Sequence, residues 1–150
     1  MTKTILIATV SAFAVTGCAP LGPRTVPFDP RNPKVFVVTN GATECKEKKS
    51  YIVVDQEPIY FFRRGSAQAF PIIWHLQTRG YSFVQDTKIA DPTPEKGSSP
   101  GEINNCRAGG RAMQCTNNSR QWGVWKYTLR IAADDKCGTP PDLDPTIAND

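Results

Sequence analysis

The sequence predicts an all-β protein: a single antiparallel β-sandwich of about six or seven strands, with Greek-key connections and an immunoglobulin-like or cupredoxin-like form lacking a metal. Three observations carry this expectation. Apolar residues recur with period two in short runs, the pattern of strands buried on one face. No stretch of ten or more residues keeps a helical period. Asn40-Gly41, Arg64-Gly65, Gly80 and Gly109-Gly110 punctuate the runs with residues that favour reversals.

The first element lies outside the sandwich. Lys3 precedes an apolar run from Ile5 to Val15, followed by Val15-Thr16-Gly17-Cys18. This run is too short to cross roughly 30 Å of hydrocarbon, so it reads as a secretory signal over residues 1–17. Val-Thr-Gly-Cys resembles the lipobox of bacterial lipoproteins. The resemblance implies cleavage before Cys18 and attachment of diacylglycerol and an acyl chain such as palmitate to that residue. One chain gives marginal membrane binding, and two or more give lasting attachment. Ala19 stands after the lipidated position, and by the family's sorting pattern a residue other than Asp there implies the outer membrane, with the domain in the periplasm.

Residues 18–33 form the second element. Pro20, Pro23, Pro27, Pro30 and Pro33 remove too many amide donors for a regular helix or central strand, so the segment reads as a stiff spacer. The 133 residues left after removal of 17 from 150 suffice for one domain, expected over 34–137.

Strands are expected at Lys34 to Thr39, Tyr51 to Asp55, Pro58 to Phe62, Pro71 to Gln77, Tyr81 to Gln85 and Val124 to Ile131. In the last, Trp125, Tyr127, Leu129 and Ile131 alternate with Val124, Lys126, Thr128 and Arg130. Ile72, Trp74 and Leu76 likewise share a face. The segment Asp86 to Asn105, rich in Pro and Gly, is expected to cross between sheets as a loop. Residues 138–150, with Pro140, Pro141 and Pro145, are expected as an irregular tail.

With Cys18 assigned to lipid, Cys45, Cys106, Cys115 and Cys137 remain, an even number in an oxidising compartment. Three pairings are possible. Gly109-Gly110 lies between Cys106 and Cys115 and favours joining that near pair, which leaves Cys45 to Cys137. A four-cysteine zinc site is disfavoured, since no Cys-x-x-Cys pair occurs.

Net charge is +4, or +3 without Lys3, too small a balance to point to nucleic acid. Lys46, Lys48 and Lys49 cluster, as do Arg63 and Arg64, and Arg107, Arg111 and Arg120 surround the Cys106 to Cys115 segment. No catalytic set is legible. His75 is the only histidine, Ser66 lacks a Gly-x-Ser-x-Gly elbow, and no phosphate-loop or dinucleotide glycine pattern occurs. One histidine also excludes the ligand set of a blue-copper site. Asp142, Asp144 and Asp150 have no calcium-loop spacing.

Binding candidates are aromatic. Tyr60, Phe61 and Phe62 are consecutive before Arg63-Arg64, and adjacent strand residues face opposite ways, so at least one of the three points away from the core. Trp122 and Trp125 pose the same choice. The candidate surface is Tyr60, Phe62, Arg63, Arg64 and Trp122.

The runs Ile73-Trp74-His75-Leu76, Gly80-Tyr81-Ser82-Phe83, Cys106 to Cys115 and Lys126-Tyr127-Thr128 resemble small exported β-sandwich proteins of proteobacteria. No activity is implied by that likeness. The expected function is that of a non-enzymatic envelope lipoprotein without a cofactor beyond its lipid, binding a protein partner in a cell-envelope assembly. The alternative is a module that binds peptidoglycan or another glycan by stacking on exposed aromatics.

Overall fold

Strand-forming residues do form strands, and the alternation sets which side is buried. A computed structural model describes residues 29–62, 68–84, 92–135 and 137–150. In chain order the strands are β1 (Lys34–Thr39), β2 (Ser50–Val54), β3 (Ile59–Phe61), β4 (Phe70–Leu76), β5 (Tyr81–Phe83), β6 (Thr93–Pro94), β7 (Ile103–Gly109), β8 (Ala112–Asn117), β9 (Gly123–Lys126), β10 (Ile131–Ala133) and β11 (Thr146–Asn149). The helical content among the described residues is one 3-10 turn, Cys45–Glu47. In β4, Ile72, Trp74 and Leu76 are buried, and Ile73 and His75 between them are not.

The strands make three sheets. The five-stranded sheet runs β2-β1-β4-β8-β7, the four-stranded sheet β3-β11-β9-β6, and β10 pairs with β5 alone. One apolar cluster draws on all three: Val35, Ile72 and Trp74 from the first, Ile59, Trp125 and Ile147 from the second, and Phe83 and Ile131 from the third. Buried polar atoms inside it are partnered. Trp74 Nε1 donates to Tyr127 Oη at 3.1 Å, and Trp125 Nε1 donates to the Ser99 carbonyl at 2.8 Å. Asn117 of β8 and Asn149 of β11 exchange amide hydrogen bonds at 2.7 and 3.1 Å, linking two sheets through the interior. An unpartnered amide there would cost about 1–3 kcal/mol.

Several expectations need correction. The fold is all-β, but its sheets are mixed rather than antiparallel: β1 and β4 pair parallel, as do β3 and β11. The described residues form eleven strands against the expected six or seven. The stretch Val124 to Ile131 is not one strand, because β9 and β10 belong to different sheets and the chain between them makes a single bridge, Leu129 to Leu143. The segment expected as a crossing loop contains β6, which pairs with β9. The greatest departure is at the C-terminus. Instead of an irregular tail, Thr146–Asn149 forms β11, the strand held between β3 and β9. Its three prolines lie upstream, so they spare the ladder amides that Ile147 to Asn149 supply.

Both expected disulfides are present. Cys45 joins Cys137 and Cys106 joins Cys115, with Cα separations of 5.2 and 4.1 Å. The near pair spans the β7-β8 hairpin, reversed at Gly110 and Arg111, with Gly110 at φ +55°. A register shift between Asn104 and Arg107 makes it possible. Ile103 faces the core, and three residues on, Cys106 would ordinarily face out. Asn105, at φ +53°, inserts the extra residue of a bulge and turns Cys106 back toward buried Cys115. Asparagine tolerates that left-handed conformation better than most residues.

Candidate functional site

The outward face of the four-stranded sheet gathers the exposed aromatics. Because Ile59 and Phe61 point into the core, Tyr60 must point out. The ladders set Tyr60 beside Ala148, and Ala148 beside Val124. Asp150 N donates to the Phe61 carbonyl at 2.9 Å, continuing the pairing beyond the named strand. Extending both ladders by one rung sets Asp150 between Phe62 and Trp122. Tyr60 is 52% exposed, Phe62 74%, Trp122 73% and Val124 37%, values that place them on a surface rather than in the core.

Two grooves flank this row. One, of about 490 Å³, is lined by Pro30, Gln56, Pro58, Tyr60 and Phe62, with the carboxylates of Asp55 and Glu57 at its rim. The other, of about 280 Å³, lies between Trp122 and the turn Glu95 to Ser98. Both carboxylates of the first groove are held by hydrogen bonds, whereas Glu95 of the second pairs with Lys126 at 3.2 Å. Glu57 Oε1 accepts from Thr146 N at 2.9 Å and Thr146 Oγ1 at 3.0 Å, and Asp55 Oδ1 accepts from Lys34 N at 2.8 Å. The first groove thus holds two fixed carboxylates beside an apolar centre.

Trp122 is carried by a segment with its own polar support. The buried Glu102 carboxylate accepts from the backbone N–H groups of Arg120 and Gln121, and Ser119 N donates to Asn117 Oδ1 at 2.9 Å. Gly123, at φ +152°, then leads into β9; a Cβ there would stand 2.6 Å from Ser98 Oγ, which accepts from Val124 N. Ser119, Glu102 and Gly123 therefore fix the approach of the exposed indole to the sheet.

Of the residues expected on the surface, Tyr60, Phe62 and Trp122 are exposed on one sheet face, while Phe61 and Trp125 are core. Phe61 packs on Phe70 at 4.9 Å between ring centroids, and the Arg31 guanidinium lies 4.6 Å from the Phe70 centroid. Arg63, Arg64, Ser66 and Cys18 lie outside the described residues. Ala148 joins this row only through β11, and Asp55 and Glu57 reach the groove only through the tertiary structure. Val124 was legible from its place on the solvated side of the alternation.

The other polar candidates have structural partners. His75 Nε2 is 3.3 Å from Asn32 Oδ1. Arg111 donates to the carbonyls of Thr78 and Leu76 at 3.0 and 2.5 Å. Asp142 pairs with Arg130, and Asp144 accepts from Thr128 Oγ1. Burial pushes the Tyr127 hydroxyl above its ordinary value, so it stays protonated. Among the described residues, no group of three or more His, Cys, Asp or Glu could hold a metal, and no helix is long and apolar enough to cross a membrane.

Neither a protein-family model nor a curated protein matches this chain.

Proposed function

We propose that this chain is a non-enzymatic, lipid-anchored protein of the bacterial cell envelope whose β-sandwich binds a protein partner. In this reading Cys18 carries the diacylglycerol and acyl chains, the packed sheets form the sandwich, and the spacer is shorter than the sequence suggested: residues 29–33 belong to the domain, since Pro33 is buried and the Arg31 and Pro33 carbonyls accept from Ile73 N and His75 N of β4. The observation that carries the binding reading is the row of Tyr60, Phe62, Trp122 and Val124 on one sheet face, exposed among the described residues. Large apolar side chains grouped on a surface mark interaction sites, and Tyr and Trp are favoured where recognition needs a rigid, amphipathic anchor. Asp55, Glu57 and Asp150 around them suit a partner that presents an apolar segment bordered by Lys or Arg.

Capture from detergent-solubilised envelopes tests the reading. The wild-type chain should retain a stoichiometric protein that a Phe62→Ala, Trp122→Ala double variant loses, with little change in melting temperature. Retention on isolated cell wall stripped of protein, lost in the same variant, would replace the protein partner with a glycan. Capture unaffected by the double variant would remove this face from the site.

A further inference from the structure

The aromatic face ends at a strand whose backbone is unused on one side. Among the described residues β3 is the terminal strand of the four-stranded sheet, paired only with β11. Asp150 N donates to the Phe61 carbonyl at 2.9 Å, so Phe61 turns its backbone groups toward β11. Those groups alternate sides along a strand, so Ile59 turns the same way and Tyr60 turns its N–H and carbonyl to the free edge. Phe62 adds an N–H there, and Pro58, which has none, adds a carbonyl. The other outer strands of the two larger sheets are less open: β6 has two residues, β7 carries the bulge, and the Gly138 segment packs on Lys48 and buried Ser50 at β2.

Pro58, Tyr60 and Phe62 also line the groove of about 490 Å³, together with Pro30 and the Asp55 to Glu57 segment, so open space adjoins the free edge. The described residues that line it include two carboxylates and no cation. Glu57 commits one oxygen to Thr146 and Asp55 one to Lys34 N, and the second oxygen of each has no partner among the described residues. We propose, on the basis of the binding reading above, that the partner enters this groove as an extended segment that adds a strand to β3, its end beside Pro58 carrying Lys or Arg. Main-chain pairing uses both the N–H and the carbonyl of Tyr60, and the Phe62 N–H and Pro58 carbonyl extend the ladder. A helix laid in the groove would leave the Tyr60 groups unpaired, because its own backbone is satisfied internally. Alternate side chains of the added strand then lie beside Tyr60 and Phe62 on the outward face, where apolar residues pack best against the two rings. The acidic groove and the unused edge together select an extended, basic-ended segment as the occupant.

Amide hydrogen exchange of the full, isotope-labelled chain in mild detergent tests it, with the capped peptide acetyl-Lys-Thr-Val-Thr-Val-Thr-Lys-amide as probe. Bound peptide should slow exchange of the Tyr60 and Phe62 N–H groups by about ten-fold or more, while Ile59 and Phe61, already paired with β11, should change little. Glu in place of both Lys residues of the peptide should weaken binding by about ten-fold. N-methylation of every interior residue keeps the side chains, removes the donors and should abolish binding. No binding at millimolar peptide, a Tyr60 amide left unprotected by bound peptide, or equal binding of the N-methylated peptide would overturn strand addition. The aromatic row is tested separately, since capture lost in the Phe62→Ala, Trp122→Ala double variant while Tyr60 stays unprotected would leave a face read by side chains alone.

Discussion

Neighbouring side chains in β3 have opposite fates, and substitution should separate them. Phe61 is buried against Phe70, so Phe61→Ala should cost about 3–5 kcal/mol, seen as a large fall in melting temperature. Phe62→Ala, in a residue largely in water, should change stability little while weakening capture of the partner. An equal fall for both would place Phe62 in the core. Asp29 gives a pH signature on the same scale. Donation from Asn32 Nδ2 and then from Arg31 N holds its carboxyl below the ordinary value, so the folded state favours the ionised form. The resulting stabilisation is fully present above the unfolded carboxylate range and is lost as pH falls through the lowered folded value. Wild type and Asp29→Asn should therefore differ in melting temperature at neutral pH and converge in strong acid.

At the scale of elements, β11 determines whether the aromatic face exists. It separates β3 from β9, contributes buried Ile147, and carries Asn149 into the interior pair with Asn117. Deleting residues 146–150 would strip β3 of its ladder, expose Trp125 and Ile59, and leave the Asn117 amide without its partner. Loss of the cooperative thermal transition is the expected outcome. A truncated chain that still melts cooperatively near the wild-type temperature would show β11 to be an accessory strand. The bulge at Asn105 acts at the same scale, since the near disulfide forms only because one extra residue reverses the facing of Cys106.

For the whole molecule, the Cys45 to Cys137 bond spans 92 residues and ties the turn after β1 to the chain just beyond β10. In the chain-entropy account, closing a loop of that size restricts the unfolded state by about 4.6 kcal/mol, more than the nine-residue separation of the other pair. Replacing Cys45 and Cys137 together with Ser should thus lower stability to denaturant more than replacing Cys106 and Cys115. The reverse order would mean that strain or retained unfolded structure outweighs loop length. The same bond secures the segment leading to β11, and so couples the two ends of the domain mechanically.

Local chemistry was readable without a fold. Period-two alternation located β1, β2, β4 and most of β3 and β5, because the side-chain repeat of a strand is set by the backbone itself. Cysteine parity and the Gly109-Gly110 reversal were enough to select the disulfide pairing. The alternation did not say which of Tyr60, Phe61 and Phe62 faces inward, since a period leaves its phase free until a second layer covers one side. Nor could it reveal β11, whose four residues gain their ladder only when β3 and β9, distant in sequence, arrive on both sides. The parallel pairs β1-β4 and β3-β11 were hidden for the same reason. Their strands are joined by long connections, and only the packing of Trp74, Trp125 and Ile147 into a shared core decides which edges meet.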